Sequence, residues 1–261
     1  MQKKIRAGGT AATRTSSAGN KPGSEPAPAR RYHHGSLPDA LLRAAETVLR
    51  RDGLRGLTLR AIAREAGVSH TAPQHHFGDT TGVLSELAAT GHRRLAASMI
   101  ERARGVEGDE ARSRATARGY IDFAVNNPDL FRLMARNELL DAGRPSLVEA
   151  RRLSARELAG VAGAEPPSSS PASDAFAELS GSQAVAMTAL WAYVHGLASL
   201  LVDHRLTRIA AATDTFRDPQ ELVDAAIEQM GIVRRSVAAS PPKADSTGRR
   251  ATEEPAAWKN A

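Results

Sequence analysis

The stretch AIAREAGVSHTAPQHHF, Ala61 to Phe77, starts with an apolar periodicity, stops at Gly67, restarts two residues later and then offers mostly polar side chains. A helix that only fills a core keeps its apolar stripe to the end. Thr58 stands where a residue can cap the first of these two helices, and Leu59, Ile62, Ala63 and Ala66 fall on one inward face. Gly67 occupies the position where a helix end takes a left-handed residue, and Val68 can fold back on the core. Ser69 is expected to cap the short helix that follows and ends near Phe77-Gly78. Pro73 falls in or just after its first turn, so it costs that helix at most one hydrogen bond.

On the N-terminal side, Ser36-Leu37-Pro38-Asp39 opens a helix with a capping serine, a proline in the first turn and an acid three positions on. Leu41, Leu42, Ala45, Val48 and Leu49 form its apolar face until Asp52-Gly53 ends it. On the C-terminal side Asp79 caps a fourth helix, with Val83, Leu84, Leu87 and Ala88 inward. The second and third helices are joined by only a few residues around Gly67, as in a helix-turn-helix: Ala63 lets them approach, and Ile62, Val68 and Phe77 set the crossing angle. The third helix loses its apolar stripe because its outer face is suited to the major groove, where short polar side chains reach base edges. An ordinary helical hairpin would need no such face and no basic surroundings.

The surroundings are basic. Residues 1–95 hold 15 Lys/Arg against 7 Asp/Glu, whereas residues 96–261 hold 20 against 22, so the whole +6 excess lies in the first third. That is the sign of a polyanion-binding module, although a basic tail alone gives a similar imbalance. With aromatics at 4%, the core rests on Ala, Leu, Val and Ile, which favours helix. The sequence has no cysteine, which excludes a disulfide framework or thiolate metal site and fits a reducing cytoplasm. The first 29 residues are basic and rich in Ser, Thr, Gly and Pro; a transit peptide has that composition, but without apolar periodicity a disordered tail fits better.

The segment LTLRAIAREAGVSHTAPQHHFGDTTGVLSELA resembles the DNA-binding domain of the TetR (tetracycline-repressor-like) family of bacterial regulators, and RRYHHGSLPDALLRAAETVLRRDGLRGLT resembles that family's first helix and lead-in. YIDFAVNNPDLFRLM and ALWAYVHGLASLLV are similar to the ligand domain of a subgroup with a Trp…His-Gly signature. The likeness runs over about residues 30–235 and is strongest over 31–95. It implies an all-α homodimer on double-stranded operator DNA, usually a cytoplasmic, nucleoid-associated repressor released by a small-molecule effector. Thr58 and Ser69 match the family's capping positions, which also offer donors to phosphate; His70, Thr71 and Ala72 match those that approach bases; His75 and His76 match the close of the recognition helix, often at the DNA backbone.

This chain departs from the family pattern at two places. Gln74 stands where the family usually has Tyr, and Thr80-Thr81 where it usually has Lys and an acid. Both missing groups commonly touch phosphate, which supplies much of the binding free energy. Arg30 and Arg31, with Lys21 behind them, are expected to compensate along an adjacent backbone or minor groove. Gln74 can pair with adenine N6 and N7, or bond phosphate or water. His75 and His76 point to different helix faces and His70 is not one turn from either, so no metal site is expected.

In the C-terminal half, Tyr120, Phe123, Phe131 and Met134 flank a helix break at Asn126-Asn127-Pro128, while Met187, Trp191 and His195 recur at i, i+4 and i+8. Aromatic and Met side chains around one imidazole suit an apolar ligand pocket; the same stripe is also what an ordinary core displays. Leu179 to Val202 carries no Asp, Glu, Lys or Arg and is long enough to cross a bilayer. Its alanines, glycines and hydroxyls point instead to a helix buried on all sides. Dimerisation is expected on helices around Gln183–Leu206 and Pro219–Arg234, the second through Leu222, Ala225, Ala226, Gln229 and Ile232. Pro166–Asp174 has the composition of a loop.

The sequence thus predicts a basic tail (1–30), a three-helix helix-turn-helix domain (31–80), a larger helical ligand-binding and dimerisation domain (81–237) and a second tail (238–261). No phosphate loop, nucleophile elbow, cofactor motif or metal-ligand pair on one helix is present, so an enzyme is not expected. A membrane-tethered binding protein or an enzyme of unrecognised class are the alternatives to the ligand-responsive regulator.

Overall fold

The computed structural model describes residues 36–161 and 180–231, which form ten α-helices and one 3-10 turn with no strand among the described residues. Arg30, Arg31, the Pro/Ser-rich segment, Ile232 and both tails lie outside these residues.

Helix α1 (Leu37–Gly56) opens at Ser36, whose Oγ accepts the Asp39 amide at 3.4 Å and donates to the Asp39 carboxylate at 2.8 Å. It buries Leu41, Ala44, Ala45, Val48 and Leu49. The expected stop at Asp52-Gly53 is a kink: Gly53 has φ 68°, but the helix resumes through Gly56 and Leu54 still packs on the core. Helix α2 (Leu59–Ala66) is capped by Thr58 Oγ1, which accepts from the Ala61 amide at 3.1 Å. Gly67 ends it in the left-handed conformation, φ 67° and ψ 33°, and the Val68 amide closes back on the Ala63 carbonyl at 3.0 Å.

Helix α3 (Ala72–Phe77) starts later than the sequence predicts, and Ser69 does not cap it. The Ser69 carbonyl accepts the Ala72 amide at 3.1 Å across a turn at His70-Thr71, and its hydroxyl is held by Thr71 Oγ1 at 2.8 Å, so no side chain caps α3.

Helix α4 (Thr80–Ala103) is capped by Asp79, whose Oδ1 accepts the Gly82 amide at 2.8 Å. It packs against α1 and α3 near its start and against α5 (Asp109–Asn126) and α7 (Pro145–Val161) along its length, so one continuous rod joins the helix-turn-helix to the rest. Arg94 of α4 grips both carboxylate oxygens of Glu46 on α1, at 2.7 and 2.8 Å, and these bonds hold the Glu46 carboxyl below its ordinary range. Where α5 ends at Asn126, α6 (Pro128–Met134) begins at the expected Asn-Pro break.

Helix α8 (Gly181–Val202) begins with a capping box between Ser180 and Gln183 and overturns the expectation of burial on all sides. Only one stripe is buried: Met187, Leu190, Val194, Ala198 and Val202. The opposite face carries Val185 (50% exposed), Ala189, Ala192 and Gly196, and a Cβ added to Gly196 meets no atom within 4 Å. Apolar composition fixes how much surface seeks cover, not whether the same chain supplies it. Short α9 (Thr207–Ala211) leads to α10 (Pro219–Glu228), which packs on α5 and α8 through Val223 and Ile227; the Tyr193 hydroxyl donates to the Ala226 carbonyl at 2.7 Å.

Candidate nucleic-acid interface

Two inward residues seat α3. Pro73 and Phe77 are buried, and Phe77 joins the cluster formed by Ile62, Val48 and Leu87. With those two inward, the remaining side chains must point out: Gln74, His75 and His76 are exposed, as are Ser69, His70 and Thr71 in the turn before them, while Ala72 is half-buried. The His75 and His76 rings diverge, meeting edge-on with centroids 5.4 Å apart. The outer surface of α3 is therefore a row of donors and acceptors on a fixed apolar base. Thr58 is exposed beside it, its side-chain oxygen already engaged by the Ala61 amide, and Thr80 is half-buried at the start of α4.

The structure adds Arg60 and Arg64, exposed one turn apart on α2. Sequence reasoning concentrated on the third helix and passed over them, although their i, i+4 spacing opposite Ile62 and Ala63 was the available signal.

Of the seven residues expected to line a ligand pocket, four come together. The Tyr120 hydroxyl and His195 Nδ1 share a hydrogen bond of 2.9 Å. Phe131 meets Tyr120 edge-on, with centroids 6.1 Å apart, and its ring lies 5.3 Å from His195; Trp191 lies 6.2 Å from His195. Burial pushes the Tyr120 phenol up to about 12 and holds the His195 imidazole below its ordinary range, so both are neutral at pH 7. Tyr120 and Phe131 are buried, His195 is half-buried, and Trp191, 46% exposed, opens the cluster to the surface. Phe123 and Met187 are buried outside this ring contact, and Met134 covers Gly91 of α4.

The family model described as bacterial regulatory proteins, tetR family, matches residues 41–87, and the one described as tetracyclin repressor-like, C-terminal domain, matches residues 113–230. The chain belongs to the TetR family. It is accordingly a DNA-binding transcriptional regulator and not an enzyme, with residues 41–87 spanning the helix-turn-helix and the start of α4. TetR-family regulators are soluble cytoplasmic proteins that bind operator DNA and ligands and act as dimers. The C-terminal description names no Trp…His-Gly subgroup.

Among solved structures, the chain is similar to a protein with unknown function from Rhodococcus sp. RHA1, at 32% identity over 80% of this chain and 98% of that one, with a TM-score of 0.58. A transcriptional regulator from the same organism is 23% identical over 77% and 97% of the two chains, with a TM-score of 0.51. A TetR protein from Streptomyces coelicolor is 19% identical over 76% and 97%, with a TM-score of 0.51, and like the previous one shares the fold alone. No curated protein matches the chain by sequence.

Proposed function

We propose that this TetR-family chain binds a near-palindromic operator as a homodimer, acts at the nucleoid as a repressor, and is released by a small apolar or amphipathic effector. The observation that carries this reading is the division of α3 into a buried pair, Pro73 and Phe77, and an exposed polar row, Gln74, His75 and His76. Gln74 of that row, together with His70, Thr71 and Ala72, supplies the groups for base edges, while His75, His76, Thr58, Ser69, Thr80 and the basic residues Arg30, Arg31 and Arg60 serve the phosphates. In the DNA-competent dimer two such helices sit about one helical turn apart, roughly 34–36 Å, and enter successive major grooves.

The effector's apolar part is assigned to the cluster of Tyr120, Phe131, Trp191 and His195, with Phe123, Met134 and Met187 around it. A ligand enters past Trp191, the most exposed ring of the cluster, and its differential affinity for the two states sets how far it shifts the dimer from the DNA-competent spacing. The test is selection of sheared genomic DNA from the protein's source by the purified chain, followed by footprinting. A protected near-palindrome is expected; retention at low salt with no preferred site would contradict the proposal.

A further inference from the structure

Away from the ring cluster, a cleft of about 330 Å³ opens where α4 ends, α5 begins and α7 approaches its last turns. Ile100 and Ala103 of α4 form its apolar wall, and Ile100 is 42% exposed, a large aliphatic side chain left uncovered. Across from them stands Thr116 of α5, whose hydroxyl is already bonded to the Arg112 carbonyl at 3.0 Å and so presents its methyl group as the cheaper contact.

The rim is cationic. Arg104 is paired with Glu101 at 2.8 Å, whereas Arg112 and Arg156 make no ion pair among the described residues. Glu157 is the one acid lining the cleft; burial raises its carboxyl above the ordinary range and the neighbouring Arg156 charge acts against that shift. Two guanidiniums with no carboxylate in direct contact, lining the same cleft as an apolar wall, form a site with two chemically distinct ends: a planar fork of donors for an oxyanion and a surface for hydrocarbon. Its volume lies at the lower end of small-molecule sites, about 300–1,000 Å³.

We propose that this cleft binds a small amphipathic organic anion, with its acid group between Arg112 and Arg156 and its apolar body along Ile100, Ala103 and the Thr116 methyl. The site is distinct from the ring cluster and goes beyond the effector assignment made above. It sits on the far end of the same helix whose near end packs on α3; at 1.5 Å per residue the 24 residues of α4 span about 36 Å between the two.

Calorimetric titration of the full chain with sodium octanoate, with octanol as the uncharged counterpart of the same chain length, tests the proposal. Saturable octanoate binding is expected, at least tenfold tighter than octanol. The double variant R112Q/R156Q should weaken octanoate at least tenfold and leave octanol unchanged. Both arginines are exposed, so the variant should fold, which circular dichroism checks. Ala103→Trp, which fills the cleft from its wall, should abolish binding of both compounds. No saturable octanoate binding, octanoate no tighter than octanol, or full octanoate affinity in either variant would each overturn the proposal. The readout is binding to the protein alone, so a chain that fails to hold operator DNA contradicts the proposed function and leaves this result standing.

Discussion

Gly119 lies where α5 crosses α4 with backbone against backbone. A Cβ there would sit 2.5 Å from the Ser98 carbonyl oxygen and 2.7 Å from the Met99 Cα, and Ser98 Oγ donates to the Gly119 carbonyl at 2.8 Å across the same contact. Neither neighbour can rotate away, so the helices must part. Gly119→Ala should therefore destabilise the chain by about 1 kcal/mol net, because overpacking of about 1–3 kcal/mol, centred near 2, outweighs the gain of up to about 1 kcal/mol from replacing a helical glycine. Gly91→Ala meets the Met134 Sδ instead, the movable end of a flexible side chain, and should stay within about 1 kcal/mol of the parent. Urea titrations of the two variants read the difference. His92 gives a second prediction at this scale. Its Nδ1 is paired with Ser154 Oγ at 2.8 Å, its Nε2 is buried without a partner, and burial, with Arg151 nearby, lowers its pKa to about 4. The folded chain thus binds this proton less readily than the unfolded one, whose imidazole titrates near 6.5. The stabilisation that the neutral ring provides is complete above pH 6.5 and is lost as pH falls towards 4. His92→Gln, which keeps a hydrogen-bonding group but cannot titrate, should flatten the loss of stability across that window; an unchanged slope would show that other groups carry it.

Among the elements, α3 and α8 show what a sequence carries and what it does not. The helix-turn-helix was legible because each of its signals is local: Thr58 and Asp79 cap by their own side chains, and Gly67 takes a left-handed φ that other residues avoid. Asp79→Ala should cost about 1 kcal/mol of stability by thermal unfolding, since the Gly82 amide loses its acceptor at a helix start. The start of α3 was misplaced because Ser69 and Thr71 both offer a hydroxyl near a helix N-terminus, and only the fold decides that the two bond each other. The pairing of Tyr120 with His195 joins residues 75 positions apart on α5 and α8, beyond any local periodicity, although the i, i+4 spacing did place Trp191 beside His195. For α8 the difficulty was different in kind: a run of Ala, Leu and Val states that a helix is apolar all round, and nothing in it says which molecule covers the second face.

At the scale of the whole molecule we place the proposed dimer seam on that second face. Val185, Ala189, Ala192 and Gly196 follow at helical spacing, and small residues allow two copies of α8 to approach closely. Val185→Glu with Ala192→Glu should shift the chain to monomer in sedimentation and weaken operator binding at least tenfold, because like charges then meet across the two-fold seam and each half-site binds alone; a dimer that survives both charges would place the interface elsewhere. The basic arm belongs to the same scale. Deleting residues 1–31 should weaken DNA binding and flatten its dependence on salt, as fewer phosphates release counterions, and an unchanged slope would remove the arm from the account. The central claim is that the exposed row on α3 reads bases. The most direct measurement is to titrate a selected operator and a scrambled duplex with the parent chain and with H70A/T71A/Q74A at fixed salt. The account predicts that the variant loses most of its preference for the operator, about 1–3 kcal/mol for each base contact removed, while its weak affinity for the scrambled duplex persists. Equal discrimination by parent and variant would contradict it and move recognition off this helix.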